Sequence, residues 1–148
     1  MEKIRFAIVG CGNIGVRHAA VVDAEPRAEL VALCDIEMEK AQKLSATYGP
    51  VPVFSGLAEM LSETEIDVVN ICTPHHLHAP MTIQCAEAGR NILVEKPMAL
   101  STEECEKMHE AAQNNRVSLF VVKQNRFNVP VRLAKEAIEQ GKLGQIFM

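Results

Sequence analysis

Three glycines lie within six residues near the start of the chain, at Gly10, Gly12 and Gly15. They form the pattern G-x-G-x-x-G between an apolar run typical of a strand and a segment typical of a helix. In this setting the first glycine permits a tight turn, the second lets a pyrophosphate approach the backbone, and the third lets the helix pack closely. The free N–H groups at the helix start would then face a diphosphate. The pattern predicts a dinucleotide-binding turn; the alternative is a turn that merely connects two elements.

An acidic residue, Asp35, ends the second predicted strand, twenty residues after Gly15. A carboxylate at this place accepts hydrogen bonds from the hydroxyls of an adenosine ribose. It also repels a 2′-phosphate, so NAD is favoured over NADP as the cofactor. The alternative is an aspartate that only caps the next helix.

The segment Glu95-Lys96-Pro97 directly follows the fifth predicted strand. Open α/β sheets bind ligands at the carboxyl ends of their strands, so this charged pair lies where a ligand is expected. A lysine there can hydrogen-bond a substrate hydroxyl and help its proton to leave during hydride transfer. The alternative is an ion pair between Glu95 and Lys96 on the surface of a turn.

Two further polar segments follow strands. His75, His76 and His78 come after the fourth strand, but no cysteine or carboxylate completes a recognisable metal-ligand spacing. These histidines are therefore expected to line a ligand cleft or to be exposed in the loop. Residues 123–128, "KQNRFN", follow the sixth strand and bring Gln124 and Asn125 to the same sheet edge. The alternative for this segment is a polar loop before a helix.

These residues need a scaffold, and the periodicity of the chain predicts one. Strands are expected at 4–10, 29–35, 51–54, 67–74, 91–97 and 116–125, and helices at 13–23, 37–49, 55–63, 79–89, 101–115 and 129–141. The strands are continuous apolar runs that alternate with helices, which favours an α/β doubly wound parallel sheet of six strands with helices on both faces. Helix ends are expected at Ser55 (an N-cap), at Ser101 with Glu104 (a capping box), and at Gly89 and Gly141. Residues 144–148, "GQIFM", begin like a further strand.

Composition excludes several classes of protein. The chain has 148 residues and a formal net charge of −4, so it lacks the basic surface expected of a nucleic-acid-binding protein. No apolar run approaches the roughly 20 residues that span a bilayer, and the amino-terminal segment lacks the features of a signal peptide. The five cysteines form no C-x-x-C pair. They are expected to be reduced thiols in a cytoplasmic protein.

Together, "GCGNIG", Asp35, "NICTPHHLHAP", "VEKPMAL" and "KQNRFN" resemble the amino-terminal half of a Gfo/Idh/MocA-family oxidoreductase, the group of glucose–fructose oxidoreductase and inositol dehydrogenase. The resemblance covers essentially all of the chain and implies an NAD(P)-binding Rossmann domain followed by a second α/β domain. The "KQNRFN" form looks most like relatives that act on nucleotide-linked amino sugars in surface-polysaccharide pathways. Residues 1–148 would be the cofactor domain, ending at the boundary of the substrate domain.

The resemblance also assigns roles residue by residue. It implies that Lys96 is the catalytic lysine. It implies that the cofactor is bound by the diphosphate turn, the ribose acid, the loop after the fourth strand and polar residues near the nicotinamide: Gly10, Gly12, Asn13, Ile14, Gly15, Asp35, Thr73, Pro74, His78, Glu95, Gln124 and Asn125. The second domain of such enzymes supplies an Asp/His pair for acid–base chemistry and most substrate contacts. Nothing in this sequence replaces that pair.

The leading hypothesis is therefore an NAD-dependent sugar, nucleotide-sugar or polyol dehydrogenase, represented by its cofactor half, which is a homo-oligomer when it is full length. The alternative from another class is an NAD-binding regulatory or interaction module without chemistry of its own. A reading frame that continues past Met148 would favour the dehydrogenase, and a stop codon there would favour the module. The Glu95-Lys96-Pro97 segment argues against other Rossmann enzymes, such as dihydrodipicolinate or homoserine reductases.

Overall fold

The computed structural model describes residues 3–147 and contains one sheet of six parallel strands. The strands are β1 (Ile4–Val9), β2 (Ala28–Cys34), β3 (Val53–Phe54), β4 (Val68–Ile71), β5 (Asn91–Val94) and β6 (Leu119–Val121). Their order in the sheet is β3-β2-β1-β4-β5-β6, and every neighbouring pair is parallel. This is the strand order of a Rossmann fold, and the predicted α/β doubly wound sheet is confirmed.

Six helices connect the strands. They are α1 (Asn13–Ala24), α2 (Met38–Tyr48), α3 (Leu57–Glu63), α4 (His78–Glu87), α5 (Thr102–Asn114) and α6 (Val129–Glu139). Short 3₁₀ turns at His75–Leu77 and Gln124–Phe127 precede α4 and α6. No helix within residues 3–147 combines the length and apolar character that a membrane crossing requires.

Two clusters of buried side chains form the core, one on each face of the sheet. Along β1, Ala7 and Val9 belong to the cluster that includes Met60, Cys85 and Met108 from α3, α4 and α5. The intervening Ile8 belongs to the other cluster, with Ala19 of α1 and Ala41 and Leu44 of α2. Because successive strand residues point to opposite faces, a strand covered on both sides must be apolar at every position. This accounts for the continuous apolar runs in the sequence.

The two faces are not covered equally. Helices α1 and α2 pack over the half of the sheet formed by β1, β2 and β3. Helix α6 lies beside the preceding 3₁₀ turn and is exposed along nearly its whole length. Leu93 of β5 and Val122, which follows β6, therefore line a cavity on this face rather than packing beneath a helix.

Some predicted element ends differ from the structure. Ser55 is not an N-cap, because α3 begins at Leu57 and Gly56 occupies the cap position. Ser101 does cap α5, and its Oγ accepts a hydrogen bond from the N–H of Glu104 at 3.2 Å. The Glu104 carboxylate returns to the N–H of Leu100 rather than to that of Ser101.

The remaining predicted ends are those at the glycines after two helices and at several strands. Gly89 and Gly141 follow their helices with φ of +71° and +67°, as expected for C-terminal glycines. Strands β4, β5 and β6 are shorter than predicted, since the polar residues that follow them leave the sheet as loops. Residues 144–147 form no strand, and Met148 lies outside the described residues.

Candidate functional site

The first glycine of the motif allows the chain to turn sharply at the end of β1. Gly10 has φ of +92°, a left-handed conformation that side chains rarely adopt. A Cβ at Gly10 would also lie 2.7 Å from the carbonyl oxygen of Cys72, at the end of β4. The Gly10 N–H donates to the carbonyl of Cys34, at the end of β2, at 2.8 Å. The turn is thus held between the two strands that flank β1.

The other two glycines differ in what surrounds them. A Cβ at Gly15 would overlap the carbonyl oxygen of Gly10, so this glycine lets α1 begin directly against the turn. A Cβ at Gly12 would meet nothing within 4 Å, and Gly12 has an ordinary extended backbone, with φ of −75° and ψ of −165°. The structure therefore requires glycine at 10 and 15 for its own packing, but leaves the space beside Gly12 open. A diphosphate fits that space. A side chain at position 12 would meet no protein atom, but it would occupy the place of a bound ligand.

The start of α1 faces this open space. Gly12 is its N-cap and supplies no side chain to the first N–H groups, and the first turn carries no acidic residue. Those N–H groups lack partners within the helix, and the aligned peptide dipoles place partial positive charge there. The helix start can therefore bind an anion.

Asp35 is joined to the glycine turn by a hydrogen bond. Its Oδ2 accepts from the N–H of Cys11 at 2.7 Å, and its Oδ1 accepts from the N–H of Glu37 at 2.9 Å. These two bonds orient the carboxylate at the end of β2. Each oxygen of an ionised carboxylate can accept a further hydrogen bond, so both remain available to ribose hydroxyls.

A cavity of about 420 Å³ lies beside Asp35 and the glycine turn. Five of the predicted cofactor-binding residues line it: Gly10, Gly12, Asp35, Thr73 and Pro74. The same cavity is lined by Ile36, which is 86% exposed and offers an apolar surface next to the acid. Cavities of this volume hold small-molecule ligands. We call it the adenosine cavity, after the part of a dinucleotide that its chemistry suits.

A second cavity, of about 510 Å³, runs along α1 from Ile14 to Glu25 and reaches the end of β5. Three predicted residues line it, namely Ile14, Glu95 and Gln124. Two residues that the sequence analysis did not select, His18 and Asn70, line it as well. Together these residues bring the ends of β4, β5 and β6 to one place, which we call the nicotinamide cavity.

Glu95 makes its closest side-chain contact with α1. Its Oε1 lies 3.1 Å from Nε2 of His18, and Nδ1 of the same ring lies 3.2 Å from Nδ2 of Asn70. His18 is 77 positions from Glu95 and 52 positions from Asn70 in the chain, so no short-range spacing links the three residues. A signal did exist, since Asn70 is a lone polar residue within the apolar strand "VVNI".

Lys96 is exposed at the end of β5. Its backbone N–H donates to Oε2 of Glu95 at 3.1 Å. Within residues 3–147 no carboxylate lies within ion-pair distance of its ammonium group. The ion pair between Glu95 and Lys96 that the sequence left open is therefore not formed, because the Glu95 carboxylate pairs with His18 instead.

His78 lies beneath the site, whereas the family resemblance placed it among the cofactor-binding residues. Its side chain is 0% exposed and lines neither cavity. Its Nδ1 lies 2.8 Å from the carbonyl oxygen of Pro97, and its Nε2 lies 3.0 Å from that of Thr73. The ring thus joins the loop after β4 to the loop after β5. We assign His78 to the support of the site rather than to its surface.

The remaining predicted residues surround these cavities. Asn13 and Gly12 line a third cavity, of about 380 Å³, that adjoins the glycine turn. Asn125 is exposed, and its Oδ1 accepts a 3.4 Å hydrogen bond from Asn128. His76 lines the adenosine cavity. Residues 3–147 contain no group of three histidine, cysteine or carboxylate side chains arranged to hold a metal ion.

The cysteines are free thiols and do not offer a nucleophile to the site. Burial raises the pKa of Cys11, Cys72 and Cys85 to about 12 and that of Cys34 to about 11. Since the thiolate is the reactive form, these four thiols are inert near neutral pH.

Comparison with known proteins gives a consistent result. Residues 4–123 match the model of a family described as "Oxidoreductase family, NAD-binding Rossmann fold". The D-glucoside 3-dehydrogenase of Escherichia coli is 32% identical over 148 residues, which cover 99% of this chain and 42% of that protein.

Two solved structures are similar over nearly the whole chain. The WlbA dehydrogenase from Bordetella pertussis, in complex with NADH and UDP-GlcNAcA, is 44% identical with a TM-score of 0.94, over 99% of this chain and 45% of that one. The scyllo-inositol dehydrogenase from Lactobacillus casei, with bound NAD(H) and scyllo-inositol, is 26% identical with a TM-score of 0.91, over 98% of this chain and 43% of that one. The chain spans less than half the length of each of these relatives.

Proposed function

The chain belongs to the Gfo/Idh/MocA oxidoreductase family, and from that premise we propose that it is the NAD-binding half of a dehydrogenase. The reaction is a hydride transfer between the nicotinamide and a hydroxyl-bearing carbon of a sugar, polyol or nucleotide sugar. Relatives with this activity support the proposal, and they do not favour the alternative of a binding module without chemistry.

One observation carries the cofactor assignment. The hydrogen bond from the Cys11 N–H to Asp35 makes the glycine turn and the acid a single unit. That unit combines unpartnered N–H groups for a diphosphate with a carboxylate for the ribose hydroxyls. A 2′-phosphate beside Asp35 would bring two negative charges together, so NAD is preferred to NADP.

Lys96 carries the chemical step in this proposal. When bound, the nicotinamide supplies a hydride acceptor or donor. The Nζ ammonium of Lys96 donates a hydrogen bond to the reacting hydroxyl oxygen and stabilises the negative charge that develops as the proton leaves. Since its ammonium is free of ion pairs within the described part of the chain, it is available for this contact. The group that accepts the proton belongs to a second domain in the family.

For the substrate we propose a nucleotide-linked amino sugar. Two features support this choice over a free polyol. The "KQNRFN" segment resembles that of family members that act on such sugars. The identity to WlbA, at 44%, exceeds the 26% identity to the inositol dehydrogenase at similar coverage of this chain.

The proposal extends to the second domain, the oligomeric state and the location of the protein. Residues 1–148 form a cofactor domain that works with a substrate domain, and the full-length enzyme is a homo-oligomer. A cytoplasmic location is supported by the five free thiols, since reducing conditions keep cysteines unpaired.

Calorimetric titration of the protein with NADH, NADPH and ADP tests the cofactor proposal. We expect saturable binding of ADP and NADH, with NADPH weaker. If the unaltered protein binds neither ADP nor NADH, the proposed function is wrong.

A further inference from the structure

We propose that His18 and Asn70 are positioning residues that hold the Glu95 carboxylate in place at the nicotinamide end of the site. The inference rests on the proposed function, because it concerns how that end of the cofactor is received. The sequence motifs assign no role to either residue, although Asn70 is a lone polar residue in an apolar strand. Both are identified by their contacts alone.

The three side chains form a continuous chain of hydrogen bonds from the core to the cavity. Asn70, on β4, is 2% exposed. His18, on the second turn of α1, and Glu95, at the end of β5, have side chains that are 14% and 13% exposed. The contacts are 3.2 Å from Asn70 to His18 and 3.1 Å from His18 to Glu95. Glu95 is thus held by a residue on the helix that also carries the glycine turn.

The chemistry of the groups sets the direction of both bonds. An ionised carboxylate only accepts hydrogen bonds, so Nε2 of His18 must carry the hydrogen and donate it to Glu95. In the neutral ring Nδ1 is then an acceptor, and the amide nitrogen of Asn70 donates to it. The arrangement therefore selects one tautomer of His18 and one orientation of the Asn70 amide.

This arrangement has a cost to the fold, which argues against a purely structural role. The Oδ1 atom of Asn70 is buried and has no hydrogen-bond partner among the described residues. An apolar side chain at this position would avoid that loss, as at the neighbouring Val69 and Ile71. This oxygen is left without a partner because the amide nitrogen is turned towards His18.

The result is a carboxylate with both oxygens already engaged. Oε1 is held by His18 and Oε2 by the backbone N–H of Lys96. If His18 were lost, the Glu95 side chain would be free to rotate towards the ammonium of Lys96, its neighbour in the chain. Holding Glu95 on α1 therefore also keeps Lys96 free for substrate.

The test compares two ligands on the same variants. ADP reaches only the adenosine side of the site, whereas NADH reaches both ends. We expect His18→Leu to weaken NADH binding about tenfold or more, the loss typical of a charge-assisted hydrogen bond, with ADP binding unchanged within about twofold. His18→Gln should restore most NADH binding, because one amide can both accept from Asn70 and donate to Glu95.

Two controls keep the outcome decisive. His109→Leu makes the same change at an exposed site on α5 and should alter neither affinity. In a Glu95→Ala background, His18→Leu should cause no further loss of NADH binding, since the group that it positions is gone. Equal losses of ADP and NADH, an unchanged NADH affinity, or no rescue by His18→Gln would overturn this inference alone. Absence of ADP binding to the unaltered protein would overturn the proposed function and this inference with it.

Discussion

The adenosine cavity and the nicotinamide cavity are built in different ways. The adenosine cavity depends on backbone: a left-handed turn at Gly10, an open space at Gly12, and N–H groups that face outward. The nicotinamide cavity depends on side chains from several elements, among them His18, Asn70 and Glu95. Only Asp35 contributes a charged side chain to the cofactor contacts that we propose at the first cavity.

This difference explains what each end can do. A diphosphate is common to many cofactors, and rigid N–H groups receive it at little cost in side-chain entropy. The end at which chemistry is proposed needs an oriented carboxylate and a free ammonium. Such groups must be placed by other side chains, so their supports extend into the core. The comparison can be tested by disturbing each end separately.

The largest expected effect is at Gly12. We expect Gly12→Val to fold normally and to lose measurable binding of both ADP and NADH, because the branched side chain would fill the space proposed for the diphosphate. The backbone angles at Gly12 suit any residue, so no strain is introduced. Calorimetry measures the binding and urea unfolding measures the stability. Wild-type affinity in a folded variant would show that the open space is not a phosphate site.

Lys96→Ala should act on chemistry rather than on binding. In the two-domain enzyme we expect kcat to fall about 10²–10⁴-fold, the usual contribution of general acid–base catalysis. NADH affinity should stay within a few-fold, since Lys96 is proposed to contact the substrate oxygen and not the phosphates. Steady-state kinetics and NADH titration separate the two quantities. A near-normal kcat would remove Lys96 from the mechanism.

His78 links the loops that border the two ends, so its loss should affect the fold. We expect His78→Ala to lower the free energy of unfolding by about 2–4 kcal/mol, because it removes the hydrogen bond that the ring donates to one of the two loop carbonyls and leaves a cavity behind. Urea denaturation gives this value. His109→Ala, at an exposed site, is the control and should cost less than about 0.5 kcal/mol. A His78 variant as stable as the control would contradict the supporting role.

The smallest effect is expected at Asp35, where the charge of one carboxylate decides between two cofactors. The unaltered protein should prefer NADH to NADPH by about 10- to 150-fold, the equivalent of losing charge-assisted hydrogen bonds worth 1.5–3 kcal/mol. Asp35→Asn should reduce that preference and keep an acceptor for the Cys11 N–H. Parallel titrations with both cofactors measure the ratio. An unchanged ratio in Asp35→Asn would assign the preference to another residue.

The same contrast separates what the sequence predicted from what it did not. The glycine turn could be predicted, because the spacing of Gly10, Gly12 and Gly15 reports local backbone geometry that does not depend on distant residues. The six strands could be predicted, because burial on both faces leaves a continuous apolar run. The ends of elements were less certain, as the mistaken N-cap at Ser55 shows, because several neighbouring polar residues or glycines suit the same cap.

The support of the nicotinamide end could not be predicted in this way. The pairing of His18 with Glu95 depends on α1 lying beside the ends of β4 and β5, which no local pattern records. The burial of His78 was missed for a related reason. Its partners are the carbonyls of Thr73 and Pro97, and every residue has a carbonyl, so residue type carries no signal.

The order of the strands also has a consequence for how the protein is made. β1 pairs on one side with β2 and on the other with β4. β1, α1 and β2 leave the ribosome well before β4 and β5, but a domain generally folds as a unit. The turn at Gly10 packs against the carbonyl of Cys72 at the end of β4, and His18 contacts Asn70 of the same strand. We therefore expect both ends of the site to form only after β4 has been translated.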